Sequence, residues 1–300
     1  MKIVRYESNG RPIIAQIGGN RILPLSDIDD LPALIARRET DATLSSVQSC
    51  GPGFELAGAS LLAPVVATRN VFCVGWNYLK HFDESTSKRA GQGVELPQHP
   101  TFFTKLPTTV APPHAAVPLH ETHTAQLDWE VELAVIIGKR GRDIPEADAL
   151  DYVFGYTIAN DITARDLQRA HGGQWFKGKS LDSTCPLGPV IVTADEIADP
   201  QNLELSFHLN GQSMQQGHTR NQIFTVARII AELSVGLTLL PGDVILTGTP
   251  EGIGAARVPP VFLKDGDIME CNISGIGLLR NVVRAGLEVS PLLGTIPANT

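Results

Sequence analysis

Short apolar runs, separated by glycine, proline and asparagine, make up most of the chain. Runs rich in β-branched residues predict strands at 71–74, 133–137, 153–159, 190–192, 203–209, 243–247, 268–273 and 278–283. Sustained helical periodicity occurs over 222–239, which predicts one long amphipathic helix ending before Pro241-Gly242. A shorter helix is predicted over 31–38, followed by a connection rich in serine and glycine. Near the start, Ser8-Asn9-Gly10 and Gly18-Gly19-Asn20 are turn sequences that would join short strands. Residues 1–65 therefore read as a small β-rich N-terminal domain, and 66–300 as a larger second domain. Many strands with few helices predict an α+β fold, a mixed β roll or barrel rather than a doubly wound sheet.

Composition narrows the function classes. The 300 residues are 43% apolar, enough for one large core or one large and one small. The net charge is -8 and no basic cluster stands out, which argues against nucleic acid and anionic membrane as partners. No apolar run approaches the roughly 18 residues that suggest a membrane span. Met1-Lys2-Ile3-Val4-Arg5-Tyr6 reads as a strand, without the apolar core of a signal peptide. Cys50, Cys73, Cys185 and Cys271 share no metal-ligand spacing and read as reduced thiols of a cytoplasmic protein.

Three carboxylates change the picture. Glu130 and Glu132 lie two apart in Leu127-Asp128-Trp129-Glu130-Val131-Glu132-Leu133, and a strand there would send both side chains to one face. Asp161 ends the apolar run that precedes it. A divalent cation would relieve their repulsion, and an all-oxygen donor set suits Mg2+ or Mn2+. Two solvated glutamates on an exposed strand is the competing reading. His81 and Glu84 lie three apart in Leu79-Lys80-His81-Phe82-Asp83-Glu84, the spacing of a carboxylate that orients an imidazole base on a helix. A chance surface pair has the same spacing. Residues 85–97, polar and containing glycine, are a candidate lid.

Two apparent motifs are set aside. Residues 173–180 match a phosphate-binding loop in letters, but a polar, helix-like segment precedes them and Pro186 and Pro189 follow. His120 and His123 resemble a zinc signature short of one spacer residue, and exposed loop histidines are the simpler account. The run Leu246-Thr247-Gly248-Thr249-Pro250-Glu251-Gly252-Ile253-Gly254 can bring backbone N–H groups close to an anion or be a tight turn.

In this order, five segments resemble the fumarylacetoacetate hydrolase family over residues 71–283. They are Cys73-Val74-Gly75-Trp76-Asn77-Tyr78 with His81 and Glu84; Glu130-Val131-Glu132-Leu133; Asn160-Asp161-Ile162-Thr163-Ala164-Arg165-Asp166; Gly178-Lys179-Ser180 with Cys185-Pro186-Leu187-Gly188-Pro189; and the run 246–254. The resemblance implies a homodimer holding Mg2+ or Mn2+ on Glu130, Glu132 and Asp161. It implies His81, Glu84 and Lys179 as catalytic residues, with Lys179 preferred to Lys177 because it fills the Lys-Ser position. Arg165, Gln168 and Thr249 would bind substrate, a small 2-oxo acid. The leading expectation is C–C hydrolysis of an acylpyruvate such as fumarylpyruvate or maleylpyruvate, as in aromatic catabolism. The alternative is decarboxylation, isomerisation or oxaloacetate-type tautomerisation through the same enolate chemistry.

Overall fold

The protein is described by a computed structural model covering residues 1–25, 28, 30–40, 53–56, 59–84 and 95–287. At the N-terminus, Lys2–Ser8 and Arg11–Gly18 form a hairpin closed by Asn9 and Gly10, both in the left-handed region. The turn at Gly19-Asn20 leads to Arg21–Pro24, so both turn sequences act as turns. The helix Leu31–Thr40 starts where the Asp30 carboxylate accepts the Ala33 N–H at 2.8 Å, a side-chain N-cap.

A mixed main sheet carries the candidate site. Its strands follow the order Phe54–Glu55, Arg21–Pro24, Arg11–Gly18, Lys2–Ser8, Cys185–Thr193, Val153–Asn160, Val131–Ile137, Val244–Leu246, Val71–Gly75 and Thr101–Lys105. The N-terminal hairpin thus shares this sheet, with Lys2 opposite Val192. Val131–Ile137 lies between Val153–Asn160 and Val244–Leu246, antiparallel to both, while Val244–Leu246 runs parallel to Val71–Gly75. The central strands Val131–Ile137 and Val153–Asn160 are buried along their whole length, which explains why they read as continuous apolar runs. A second sheet contains Gln212–His218, Glu204–Leu209, Ile268–Ile273, Gly277–Arg284 and Ala116–Pro118. Its inner face meets the first through contacts such as Trp129 stacked on Phe207, ring centroids 5.3 Å apart. The path of the main sheet has two ends among the described residues, so the α+β fold is an open roll and not a closed barrel.

Two local expectations are corrected. The helix predicted over 222–239 is Val226–Ser234. Thr225 caps it, its hydroxyl accepting the Arg228 N–H at 3.1 Å, and Gly236 at φ +67° turns the chain just beyond it. The apolar period continues because Leu239 packs, fully buried, in an extended bridge to Gly141 rather than on the helix. The strand expected over 127–133 is interrupted. Leu127–Asp128 pairs with Thr163–Ala164, and Val131 begins the long strand. Between them side chains take over as hydrogen-bond partners: Asp128 accepts the Trp129 N–H, Asn160 that of Glu130, and Gln215 that of Val131. Strands Thr101–Lys105 and Gln212–His218 lay outside the predicted set, because their polar residues mask the alternation. Among the described residues no helix is long and apolar enough to cross a membrane.

Asn77, fully buried, stitches the sheet to the helix beyond it. Its amide donates to Phe224 O at 2.9 Å and Thr247 O at 2.8 Å, and its carbonyl accepts the Phe224 N–H at 2.7 Å. Asn77→Ala strands the Phe224 N–H and C=O and leaves Thr247 O only a long bond from Gln222, and should cost about 3–5 kcal/mol of stability. Urea unfolding monitored by circular dichroism checks this, and a loss below about 1 kcal/mol would contradict it.

Candidate active site

Each acidic side chain arrives from a different piece of backbone. Glu130 occupies the interruption, Glu132 is the second residue of Val131–Ile137, and Asp161 follows the end of Val153–Asn160. The Asp161 N–H donates to Glu130 O at 2.8 Å, which ties two of the three together through the main chain. All three are buried, and each has a carboxylate oxygen within 4.8 Å of the others.

Three cations answer this buried negative charge. Lys179 Nζ lies 2.8 Å from Glu130 Oε2 and 2.6 Å from Asp161 Oδ2. Lys105 Nζ lies 2.9 Å from Asp161 Oδ1 and donates to Ile162 O. Arg165 joins Glu130 Oε1 at 2.7 Å to Asp128 Oδ2 at 2.8 Å. The helical turn Phe176–Lys179 supplies Lys179 buried and leaves Lys177 exposed. Burial works against the Glu130 charge, but Lys179 and Arg165 outweigh it and bring its pKa down to about 2. The same carboxylates raise Lys179 above its ordinary value despite the burial that opposes it.

Glu132 differs. Burial, then the neighbouring Asp161 and Glu130 charges, push its carboxyl well above the usual range. Its bond from the Gly248 N–H at 2.5 Å offsets only part of this. A divalent cation would supply the missing positive charge, and three carboxylates are the hard oxygen donors that such an ion takes. The residues present therefore fit a metal. No other group of three or more metal-binding side chains occurs among the described residues. His120 and His123 form none: their rings are 6.3 Å apart, and His120 Nε2 meets Asp182 O.

His81 stands in the helix Leu79–Glu84 and lines the same cavity as Glu130 and Glu132. Its Nδ1 is 2.8 Å from Glu84 Oε1, and Glu84 Oε2 accepts the Gly252 N–H at 2.9 Å. The carboxylate is thus fixed by the loop after Val244–Leu246, and Nε2 is the ring nitrogen left for the cavity. Residues 85–94 of the expected lid lie outside the described residues. The phosphate-loop likeness has neither required neighbour: the helix Arg165–Ala170 precedes residues 173–180, and the strand Cys185–Thr193 follows.

The cavity measures about 200 Å3. Gln168, Arg165, Lys179 and Thr249 line it as well, so the structure gathers the separated motifs at one place. Arg165 Nη1 donates to Gln168 Oε1 at 3.3 Å. Thr249 turns its hydroxyl to Val131 O at 2.9 Å and accepts from Gln215. One wall is aromatic: Trp76, at φ +55°, meets Trp175 edge-on at 4.7 Å, and Phe103 meets Trp175 at 5.2 Å. Trp175 lies directly over Gly75, where any Cβ would collide with the indole.

Lys105 and Asp128 escape sequence reasoning. Lys105 ends Thr101–Lys105 and is fully buried, although a lysine at a strand end reads as solvated. Asp128 accepts from the Gly254 and Ala255 N–H groups besides Arg165, which anchors the far wall. Its signal was its place two residues before Glu130, in a segment otherwise destined for burial.

A family model described as fumarylacetoacetate (FAA) hydrolase C-terminal matches residues 70–284. The chain is similar to the oxaloacetate tautomerase YisK of Bacillus subtilis (strain 168), 46% identical over 231 residues, 77% of this chain and 75% of that protein. It is similar to the mitochondrial oxaloacetate tautomerase Fahd2a of Rattus norvegicus, 42% identical over 249 residues, 83% of this chain and 75% of that one. Among solved structures it resembles a fumarylacetoacetate hydrolase from psychrophilic Exiguobacterium antarcticum, TM-score 0.82 and 42% identity, covering 95% and 99% of the two chains. It also resembles a maleylpyruvate hydrolase from Sphingobium.sp SYK-6, TM-score 0.74 and 28% identity, covering 95% and 100%.

Glu132 yields a prediction with a definite sign. A carboxyl whose folded pKa is raised stabilises the fold fully below its unfolded pKa and loses that contribution as pH rises through the folded value. In metal-free protein Glu132→Gln should therefore leave stability unchanged near pH 4. Above the ordinary value of 4.5 it should become increasingly stabilising, by about 1.4 kcal/mol for each pH unit up to the folded pKa. Mn2+ should raise the melting temperature of the wild type and not of the variant. Thermal unfolding at several pH values, with chelator and with Mn2+, measures both effects. A variant less stable than wild type in chelator at pH 7.5 would contradict the charge balance.

Proposed function

Because this chain belongs to the fumarylacetoacetate hydrolase family, we propose that it is a divalent-metal enzyme interconverting the keto and enol forms of a small 2-oxo diacid of the oxaloacetate class. The observation that carries this reading is the His81–Glu84 pair, its imidazole buried, opening onto the cavity lined by Glu130 and Glu132. The metal is Mg2+ or Mn2+, held by Glu130, Glu132 and Asp161, a choice supported by the all-carboxylate donor set.

When bound, the ion supplies a Lewis acid for a 2-oxo acid's carboxylate and keto oxygen, and disperses the charge that oxygen gains when the neighbouring carbon loses a proton. His81 is placed to take that proton at Nε2 and return it to the oxygen. Glu84 holds the Nδ1 side and stabilises the protonated ring. Lys179 and Arg165 hold Glu130 in position and ionised, and Lys179 also fixes Asp161. Trp76, Trp175 and Phe103 exclude water from one side of the substrate. Gln168 and Thr249 shape the wall and offer hydrogen bonds to it.

Tautomerisation asks for one base that takes and returns one proton. C–C hydrolysis, the leading expectation from sequence, asks in addition for a water held opposite the chelated oxygen. The relatives named as oxaloacetate tautomerases, at 42% and 46% identity, favour the first reaction. The likeness to a maleylpyruvate hydrolase keeps the second as the rival. A homodimer belongs to the same proposal, as does a cytoplasmic setting, which the buried free thiols of Cys73, Cys185 and Cys271 support.

With Mg2+ or Mn2+, the enzyme should speed the decay of oxaloacetate's enol absorbance and form pyruvate no faster than metal alone. Conversion of an acylpyruvate into equal pyruvate and second acid, with one 18O atom from solvent in that acid, would favour the rival. His81→Ala should lower kcat about 100- to 10,000-fold with Mn2+ affinity retained, and Glu84→Gln should act in the same direction but less. Wild-type kcat in His81→Ala would remove the proposed base.

A further inference from the structure

Three guanidinium and ammonium groups line the cavity, and two are already committed to its carboxylates. Lys179 is held by Glu130 and Asp161, and Arg165 by Asp128 and Glu130. The third is Arg169, exposed at the cavity rim. Its Nη2 donates to the neutral side-chain carbonyl of Gln126, and among the described residues it makes no ion pair. That Gln126 is itself fixed: its backbone carbonyl accepts the Arg165 N–H at 2.9 Å, and its own N–H donates to Thr124 Oγ1 at 3.0 Å.

We infer that Arg169 binds the second carboxylate of the substrate and so selects 2-oxo diacids over 2-oxo monoacids. The inference rests on the reaction proposed above, in which the first carboxylate and the 2-oxo group are directed to the acidic triad. Arg169 stands four residues after Arg165 in the helix Arg165–Ala170, a rise of about 6 Å. Arg165 touches Glu130 on the cavity floor, so Arg169 lies about one helical turn towards the mouth. The carboxyl carbons of a four-carbon diacid are about 4 Å apart by standard bond lengths, a comparable span. The wall of Trp76, Trp175 and Phe103 carries no cation, so the charge of Arg169 favours one orientation of a diacid. A guanidinium already aligned by a neutral partner can exchange that bond for a charge-assisted one with little reordering.

The test uses the full chain with Mn2+ as wild type, Arg169→Gln and Arg169→Lys. Binding of L-malate and of 2-hydroxybutyrate, which has a methyl group in place of the second carboxylate, is followed by quenching of tryptophan fluorescence. Oxaloacetate turnover is measured in parallel, and circular dichroism verifies folding. In Arg169→Gln, malate affinity should fall about 10- to 100-fold, while 2-hydroxybutyrate affinity stays within about twofold. Arg169→Lys should recover part of the loss, and KM for oxaloacetate should rise far more than kcat falls. Equal weakening of both ligands, or unchanged malate affinity, overturns the assignment. Absence of oxaloacetate turnover in wild type would instead remove the proposed reaction, and the two-ligand comparison would still decide the role of Arg169.

Discussion

Asp128, Glu130, Glu132 and Asp161 are almost wholly removed from water and crowd together at and beneath a cavity that Glu130 and Glu132 line. Like charges in a low-dielectric interior repel strongly, and each has lost its hydration. Much of the surrounding architecture reads as the answer to that cost. Lys105 and Lys179 bracket the two oxygens of Asp161, and Arg165 bridges Asp128 to Glu130. Backbone N–H groups of Gly248, Gly254 and Ala255 complete the shell. Four carboxylates face three fixed cations, and Glu132 is the one left over. A network that balanced completely would be a structural ion cluster. The one-carboxylate excess leaves room in the charge balance for an added cation.

The same floor explains why the strand through Trp129 is broken. A continuous ladder would fix Glu130 by pleat alone. In the interruption, three side chains acting as backbone partners set its position instead. Asn160 and Gln215 come from the neighbouring strand and from the second sheet, so the site is held by both layers of the roll. Glu84 does the corresponding task for His81 by joining the helix Leu79–Glu84 to the Gly252 backbone. Carboxylate position and imidazole position are therefore both pinned to loops at the ends of central strands, where neighbouring β structure limits drift.

The fold was legible where burial imposes a simple pattern. Strands such as Ile268–Ile273 announce themselves by β-branched residues between turns. The residues now grouped in the cavity could be named because each sat in a short segment of unusual chemistry, and their order along the chain made the set specific. Lys105 could not be named in this way. Nothing local distinguishes a lysine buried against Asp161 from one that ends a strand in water, since its partner is distant in sequence. Helix length failed for a related reason. Leu239 keeps the helical period but joins the core from an extended bridge to Gly141, not from a helix face. The proposed tautomerisation was not legible apart from hydrolysis either, because both readings call on the same histidine and the same acidic residues.

Gly75 and Trp175 are one hundred residues apart, yet they occupy a single volume: the indole lies in the space that a side chain at 75 would need. Neither position can drift by itself. A larger residue at 75 demands a smaller one at 175, and trimming 175 opens a hole that only a bulkier 75 refills. Across related chains, then, the two sites should co-vary in size, small with large in either order. The cavity wall would change its contour in paired steps, which makes this pair a natural dial for accommodating longer or bulkier substrates while the charged floor is left intact.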